Sequence, residues 1–355
     1  MAEKIASPDA TLWPDVLGRL MRREDLPSER VEQALATILA GDATDAQIAG
    51  FAVALRAKGE TTAELATLVR TMLRFATPVE VDAPETLVDT CGTGGDRAGT
   101  VNVSTMAALI AAAAGARVAK HGNRASSSQC GSADVLEALG VVVDLGPKGV
   151  ARCIDEAGIG FCFAPIFHPA MRFAGPPRRE LGVATTFNFL GPLANPVRVR
   201  RQSVGVSEPA MAERVVGALA ELGAEHALVY YGQDGLDELT TTTMSTVYEL
   251  RDGAVRCFEL DPTTLGIPRA ERATLAGGDA AGNAQAVHRV FAGEVGPVRD
   301  IALLNAAAAL LVAGMADDLP SGLELASAAV DDGRAAALLE AFVRTSVAAR
   351  DAEGA

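Results

Sequence analysis

Strand-like and helix-like segments alternate along the middle of this chain, and that alternation limits the possible folds more than any other feature of the sequence. Between residues 86 and 232 the strand-like runs are "TLVDT", "RVAKHG", "VVVDL", "IGFCFAP", "SVGVS" and "ALVYYG". Helix-like runs such as "MAALIAAAA" and "SADVLEALG" separate most of them. Strands joined by crossover helices pair in parallel, so we predict an α/β fold: a mostly parallel sheet with helices on its faces.

Two further stretches extend this architecture. The segment "STVYELRDGAVRCFEL", which begins at Ser245, reads as a hairpin because Asp252 and Gly253 form a favoured two-residue turn. Beyond about residue 275 the apolar spacing returns to that of helices.

Residues 14–75 carry only helical signals. Three short amphipathic helices are predicted here, each opened by a capping signal. Such a small bundle is marginal alone, so we expect it to pack on the rest of the chain or on a partner chain. We therefore predict a helical domain over residues 1–80 and an α/β domain over residues 81–355. The capping signals are Ser28, Thr44 with Gln47, and Thr61 with Glu64, and the closing glycines are Gly41 and Gly59.

The composition argues against several classes of protein. A formal net charge of -14 disfavours a nucleic-acid binder, because duplex binding depends on neutralising phosphates. No apolar run reaches the roughly 18–20 residues that cross a bilayer, and the N-terminus lacks a secretory pattern, so we expect a cytoplasmic protein with no membrane segment. The five cysteines form no CxxC pair and the four histidines are scattered, which argues against a disulfide framework and a zinc site.

A glycine-rich loop, "CGTGGDRAGTVNVST" (residues 91–105), joins the first predicted strand to the helix behind it. The loop does not contain the P-loop pattern, and Arg97 stands where a dinucleotide-binding fingerprint needs its third glycine. Glycines at such a turn let backbone N–H groups approach an anion. From this loop alone, an anion site and a plain tight turn with Ser104 or Thr105 capping the helix are equally open.

A second polar segment, "KHGNRASSSQCGSAD" (residues 120–134), follows the second predicted strand. It supplies two cations, an amide and several hydroxyls, including those of Ser126, Ser127 and Ser128. A plain connector has little use for this set, whereas a bound sugar phosphate needs it. Arg178 adds a cation within the Pro-rich stretch "FAGPPRRE", which we interpret as a hinge or lid.

Asp237 and Glu238 place two adjacent carboxylates after the strand "ALVYYG". Taken alone, this pair is more typical of a solvated acidic loop. Beside a phosphate site, the same carboxylates suit Mg²⁺, which uses one or two carboxylates together with substrate phosphate. All three polar segments fall after predicted strands, where ligands bind in parallel α/β sheets.

In their order and spacing, these segments resemble the motifs of the anthranilate phosphoribosyltransferase family. The resemblance also covers "AQIAGFAVALRAKGET" near the start of the chain and "GGDAAGNAQ" and "RDIALLNAAAAL" near its end. It therefore extends over nearly the full length. The central matching segments are "GTGGD", "NVST", "KHGNR", "GSADVLEALG", "FAPIFHPAMR", "RRELG", "FNFLGPLANP" and "DELTTTT".

The resemblance implies a Mg²⁺-dependent glycosyltransferase of tryptophan biosynthesis. It would transfer the phosphoribosyl group of phosphoribosyl pyrophosphate to the amine of anthranilate and release pyrophosphate. The implied fold is of the nucleoside phosphorylase/phosphoribosyltransferase type, with a contribution from about residues 165–185 at the hinge of the helical domain. The resemblance also implies two Mg²⁺ ions and a homodimer formed through the helical domain, with no nucleic-acid or membrane partner.

Catalytic and metal-binding positions follow from the same resemblance. It assigns catalytic roles to Lys120, Arg178, Asp237 and Glu238, and it assigns Mg²⁺ to Ser104, Asp237 and Glu238. An arginine at position 178 can pair with the anthranilate carboxylate in a two-pronged geometry that lysine cannot reproduce.

The resemblance further implies contacts to both substrates. Asn123 and Arg178 match contacts to anthranilate, with His121 and His168 close to its path, and Met171 lies near the entrance, where packing is its plain role. The substrate-binding positions are Gly92, Gly95, Asp96, Thr100, Asn102, Ser104, Thr105, Lys120, His121, Gly122, Asn123, Ser132, His168, Met171 and Arg178.

Three positions depart from the family pattern. Arg97 replaces a common glycine, Gly99 replaces a frequent asparagine, and Ala184 replaces a frequent arginine. If the backbone at position 97 requires a positive φ, arginine carries a steric cost there that glycine would not.

Two rival classes share parts of these signals. A pyrimidine nucleoside phosphorylase has a similar fold, but the intact "KHGN" and "DELT" segments speak against it. A non-catalytic relative that binds nucleic acid is disfavoured by the two metal carboxylates and by the negative net charge.

Overall fold

The computed structural model describes residues 11–125 and 129–354. The predicted hydroxyls of Ser126, Ser127 and Ser128 therefore lie outside the described residues. A bundle of N-terminal helices packs against one face of a seven-stranded sheet, and a second group of helices covers the other face. This is the mostly parallel α/β architecture expected from the alternating segments.

From residue 11 onward, where the description begins, the N-terminal bundle contains four helices rather than the three predicted. Thr44 and Thr61 each open a helix with a complete capping box, as their local sequences predict. Ser28, predicted as an N-cap, is instead the first helical residue, and Pro27 precedes it without a side-chain cap because proline offers no side-chain acceptor. The helices are α1 (Leu12–Met21), α2 (Ser28–Ala40), α3 (Asp45–Lys58) and α4 (Thr62–Arg74).

Within the described ranges, seven strands form one sheet in the order β3-β2-β1-β4-β5-β6-β7. The first five in this order pair in parallel, and the last two are antiparallel. The antiparallel hairpin turns at Asp252 and Gly253, whose φ angles of 52° and 76° fit the predicted two-residue turn. The strands are β1 (Leu87–Gly92), β2 (Arg117–Gly122), β3 (Ile159–Phe163), β4 (Arg201–Gly205), β5 (His226–Gly232), β6 (Ser245–Arg251) and β7 (Ala254–Leu260).

The segment "VVVDL", predicted as a strand, is not one. Val141, Val143 and Leu145 are buried, as the alternating pattern suggests, but the backbone does not join the sheet. Instead, the Val142 N–H donates to the hydroxyl of Ser346, at 3.0 Å. The alternation of apolar and polar residues in "VVVDL" therefore reflects burial of one side of the segment against a helix, not pairing with another strand.

Eleven helices follow the bundle in the described part of the chain, and four of them close the chain as predicted. None of the helices described is both long and apolar enough to cross a bilayer. The helices are α5 (Val103–Ala113), α6 (Ser132–Ala138), α7 (Pro147–Ala157), α8 (Ala164–Phe167), α9 (Gly175–Leu181), α10 (Phe187–Leu190), α11 (Pro209–Glu221), α12 (Ala280–Phe291), α13 (Pro297–Ala313), α14 (Leu319–Asp331) and α15 (Arg334–Glu353).

The two faces of the sheet belong to two different apolar cores. Along β5, Ala227 and Val229 pack into the core shared with the helical bundle and α11. Leu228 and Tyr230 point the other way, into the core shared with α5 and α13. Both faces of the parallel strands are therefore buried, and the open edge at their carboxyl ends is where polar groups can gather.

Candidate active site

Asp237 lies against the start of the glycine-rich loop. One oxygen of its carboxylate accepts a hydrogen bond from the Gly94 N–H at 2.7 Å. A Cβ on Gly92 would lie 2.5 Å from the same carboxylate, and a Cβ on Gly205 would lie 1.6 Å from the Asp237 carbonyl oxygen. Glycine is required at positions 92 and 205 because these two strand ends close around Asp237.

Ser104 and Lys120 complete this group. The Ser104 N–H, in the first turn of α5, donates to the Glu238 carboxylate at 3.1 Å. The buried Lys120 ammonium donates to the Thr90 carbonyl at 2.6 Å and lies 3.5 Å from the Ser104 hydroxyl. The three predicted metal positions and the lysine predicted to be catalytic therefore meet at the carboxyl ends of β1, β2 and β5.

Burial governs the charges in this group. It raises the pKa of Asp237, aided by the charge of Asp96, and it raises the pKa of Glu238, aided by Asp237. Burial also lowers the pKa of Lys120, against the opposing effect of Asp89 and Glu238. Two desolvated carboxylates side by side are stabilised by a cation, so this donor set fits Mg²⁺.

This site offers few protein ligands for a metal ion. No cluster of three or more Asp, Glu, His or Cys side chains suited to a metal occurs within the described ranges. Thr105 adds a buried hydroxyl that has no hydrogen-bond partner among these residues. A Mg²⁺ ion here would need further oxygens from phosphate or water, as this metal usually does.

The glycine-rich loop turns through four residues with positive φ. These are Gly94 at 67°, Gly95 at 88°, Arg97 at 52° and Gly99 at 64°. Arg97 therefore occupies the left-handed conformation whose steric cost was anticipated for a non-glycine residue. Thr100, the residue after this turn, forms a bridge with Ala276.

The second polar segment begins at the end of β2 and is closed by a short contact with α6. A Cβ on Gly122 would lie 2.2 Å from the Ser132 hydroxyl. That hydroxyl donates to the carbonyl oxygen of Asn123 at 3.2 Å. Asn123 is exposed, and its side-chain oxygen accepts from the Arg124 N–H at 2.8 Å. The predicted positions 122, 123 and 132 therefore lie together.

His121 and His168 form a buried pair with ring centroids 5.1 Å apart. The Nδ1 of His121 contacts the Gly191 carbonyl at 3.0 Å, and the Nε2 of His168 contacts the Ala194 carbonyl at 2.8 Å. Each of these nitrogens therefore carries the proton, which leaves Nε2 of His121 and Nδ1 of His168 as acceptors. Both acceptors are buried and have no partner within the described part of the chain. Burial lowers the pKa of His121 to about 3 and that of His168 to about 4, so both rings are neutral at pH 7.

Arg178 extends from α9 over the ring of Phe187, with 5.7 Å from its guanidinium carbon to the ring centroid. Burial lowers its pKa, and none of the ion pairs found in the described ranges involves it. A half-buried guanidinium without a carboxylate is suited to an anionic ligand. Met171, by contrast, packs against the apolar core of the helical bundle, so its observed role is packing.

Three supporting residues were missed at the level of sequence. Buried Asn305 of α13 exchanges two hydrogen bonds with the backbone of Leu239, at 3.0 and 2.9 Å, directly after Glu238. Buried Asp89 accepts from the His121 N–H at 3.0 Å and from the Asn195 side chain at 2.8 Å. An amide inside the apolar run "IALLNAAAALLVAG" was the one available signal, because it has to find a buried partner.

Comparison with known proteins covers both parts of this structure. Residues 84–336 match the model described as "Glycosyl transferase family, a/b domain", and residues 14–76 match "Glycosyl transferase family, helical bundle domain". An anthranilate phosphoribosyltransferase of Nocardioides sp. is 54% identical over 336 residues, which is 93% of this chain and 98% of that protein.

Solved structures agree. The anthranilate phosphoribosyltransferase of Thermus thermophilus superposes with a TM-score of 0.88 and 41% identity, over 94% of this chain and 99% of that one. The enzyme of Saccharomyces cerevisiae, in complex with PRPP and Mg, gives a TM-score of 0.87 and 26% identity, over 96% of this chain and 99% of that one.

Proposed function

This chain belongs to the anthranilate phosphoribosyltransferase family, and we propose that it performs the reaction of that family. It transfers the phosphoribosyl group of phosphoribosyl pyrophosphate to the amine of anthranilate and releases pyrophosphate, a step of tryptophan biosynthesis. The observation that carries the proposal is the meeting of Asp237, Glu238, Ser104 and Lys120 where the glycine-rich loop begins.

The donor half of the reaction falls to this group. As the bond from ribose C1 to pyrophosphate breaks, its electron pair moves to the leaving oxygen and negative charge grows there. We assign the stabilisation of that charge to Lys120 and to N–H groups of the loop. Asp237, Glu238 and Ser104 would hold Mg²⁺, which supplies further positive charge to the leaving pyrophosphate.

The acceptor half needs orientation more than base catalysis. The anthranilate amine is already neutral, so it attacks C1 without prior deprotonation, and its proton leaves once the C–N bond has formed. Arg178 pairs with the anthranilate carboxylate, and Asn123 and His121 line the same approach. Holding the amine at C1 supplies much of the rate.

Further properties belong to the same proposal. We expect two Mg²⁺ ions, because two carboxylates and a pyrophosphate offer more oxygens than one ion requires. We also expect a cytoplasmic enzyme, since all five cysteines are free thiols and a reducing compartment preserves them.

We expect a homodimer formed through the helical domain. Trp13, Leu17 and Met21 lie at four-residue spacing on α1, and Met21 is 80% exposed. Val53 on the neighbouring α3 is also exposed. An apolar stripe across two packed helices is suited to a partner subunit.

The test follows anthranilate fluorescence in the presence of Mg²⁺ and phosphoribosyl pyrophosphate. The wild type should consume anthranilate only when Mg²⁺ is present. Arg178→Ala should lower kcat/KM for anthranilate by about 10- to 100-fold, the value of a charged hydrogen-bonded pair. Arg179→Ala, at the exposed neighbouring position, is the matched control and should stay near wild type.

Two results would contradict the proposal. Folded wild-type protein that binds phosphoribosyl pyrophosphate but leaves anthranilate unchanged would mean that the acceptor is wrong. Phosphorolysis of thymidine or uridine would instead identify a nucleoside phosphorylase.

A further inference from the structure

Asn283 of α12 is the buried end of a hydrogen-bond chain that reaches the site. The residue is 3% exposed and lies in the first turns of the helix. Its Nδ2 donates to Oδ1 of Asn102 at 2.9 Å, and Nδ2 of Asn102 donates to the Cys130 carbonyl at 3.1 Å. The chain of bonds therefore joins α12 to the glycine-rich loop and to the segment that follows β2.

The contacts of Asn283 with Gly278 determine which atom of each amide donates and which accepts. Its Oδ1 accepts from the Gly278 N–H at 3.0 Å, and its Nδ2 faces the Gly278 carbonyl at 3.3 Å. A flipped amide would place donor against donor and acceptor against acceptor. Nδ2 of Asn283 must therefore point at Asn102, and Asn102 must turn its own Nδ2 towards Cys130.

The backbone supports the same junction. The Val101 N–H donates to the Leu275 carbonyl at 3.0 Å, and the Gly277 N–H donates to the Gly99 carbonyl at 2.8 Å. A Cβ on Gly277 would lie 2.5 Å from the Thr100 carbonyl oxygen. The stretch before α12 is thus pressed against the end of the loop, just before Asn102.

Asn102 is also the point at which α5 begins. Its backbone forms a tight turn in which the Val103 N–H donates to the Val101 carbonyl at 2.7 Å. The Ser104 N–H that bonds Glu238 lies two residues further on. Fixing the Asn102 side chain therefore fixes the first turn of the helix that faces the metal carboxylates.

We propose that Asn283 is a positioning residue for phosphoribosyl pyrophosphate, acting through Asn102 to hold the two phosphate-binding segments in register. This inference rests on the proposed function for the identity of the ligand. Asn283 itself does not touch the substrate. It sets the orientation of Asn102 and the spacing between the glycine-rich loop and Cys130 of the second polar segment.

The experiment compares Asn283→Ala with Asn283→Leu, which restores the volume of the side chain but none of its hydrogen bonds. Both variants should raise the Kd for phosphoribosyl pyrophosphate with Mg²⁺, measured by calorimetry without anthranilate, by about three- to tenfold, the value of one or two buried hydrogen bonds. The KM for anthranilate should change less than the KM for the donor. Gln285→Ala, at an exposed position of the same helix, is the control and should leave both constants unchanged.

A double variant tests the route through Asn102. Asn102→Ala with Asn283→Ala should bind the donor no more weakly than Asn102→Ala alone, because the proposed route from Asn283 to the donor runs through that amide. The proposal would be overturned if the fold-increases in Kd of the two single variants multiplied in the double variant. Recovery of donor binding in Asn283→Leu would overturn it as well. If Asn283→Ala does not fold, Asn283→Ser replaces it, since a serine hydroxyl is too short to reach Asn102.

The calorimetric measurement separates this inference from the proposed function. If the wild type binds the donor but does not consume anthranilate, the function fails while the Asn283 series still gives an answer. If the wild type is active and the Asn283 variants bind the donor normally, only the positioning role fails.

Discussion

Arg97 is strained in a loop that is otherwise turned by glycines. Its φ of 52° places the backbone in the left-handed region. This conformation costs a residue with a Cβ about 1 kcal/mol relative to glycine. The side chain is exposed, so packing does not compensate for that strain. Asp96, which precedes it, lies close enough to Asp237 to affect the pKa of that carboxyl. A cation beside this loop is well placed to attract a phosphate group.

Replacing Arg97 with glycine should therefore separate stability from donor binding. Arg97→Gly should raise the KM for phosphoribosyl pyrophosphate by about two- to fivefold, the value of an exposed charge contact. The KM for anthranilate should change less. Steady-state kinetics with each substrate varied in turn measure both constants. Arg97→Lys keeps the charge and should stay near wild type, and an equal effect of Arg97→Gly on both substrates would contradict the role.

At the level of elements, the end of α3 is joined to the α/β domain by a partly buried ionic cluster. Arg56 donates to Glu60 at 3.1 Å and pairs with Glu208, which lies just before α11. Glu60 has a fully buried side chain and accepts from the Thr186 hydroxyl at 2.5 Å. The Arg56 guanidinium also lies 5.1 Å from the centre of the Phe189 ring. A single arginine therefore neutralises a carboxylate between the helical bundle and the sheet.

Removing that arginine should be costly because it leaves Glu60 buried without a cation. Arg56→Ala should lower the free energy of unfolding by about 3 kcal/mol, typical of breaking one side of a buried pair. Arg74→Ala removes an exposed pair with Glu32 and should cost less than about 1 kcal/mol. Urea titrations of both variants measure the difference. Equal losses would mean that the Arg56 cluster is as solvated as the surface pair.

The sequence predicted elements whose signals are local and missed features that depend on distant contacts. Both capping boxes were confirmed because donor and acceptor lie three residues apart. The strand predicted at "VVVDL" was wrong because alternation reports burial, whereas pairing depends on which backbone lies alongside. Asn283 was not predicted as a supporting residue because its partner, Asn102, is far away in the chain. The clusters after β1, β2 and β5 were recognisable because the parallel topology gathers strand ends.

For the whole molecule, buried ionisable groups shape the dependence of stability on pH. Burial lowers the pKa of His168 to about 4, from 6.5 in the unfolded chain. The unfolded state therefore takes up this proton first, and stability falls as the pH drops from about 6.5 to about 4. Asp89 acts in the opposite sense, because burial raises its pKa to about 6 and stability is lost as the pH rises from about 4 to 6.

The variant His168→Gln isolates one of these contributions. Glutamine does not titrate and retains an N–H donor for the Ala194 carbonyl. Relative to wild type, the variant should gain about 3 kcal/mol in free energy of unfolding between pH 7 and pH 4, because each unit of pKa shift is worth about 1.4 kcal/mol. Urea titrations across this range measure the change. A difference between His168→Gln and wild type that stays constant across this pH range would contradict the buried neutral state of His168.

The strand order also determines when the protein can fold during its synthesis. β1 pairs with β4, so the strand that contains residue 88 has both of its neighbours only after residue 201 has been synthesised. The helical bundle also cannot complete its core before this point, because Val204, Met211 and Val215 belong to that core. Until the ribosome has released that segment, the first third of the nascent chain exposes apolar helix faces and one unpaired strand edge. We expect chaperones to bind this stretch, and translation to be well past its midpoint before the first native core closes.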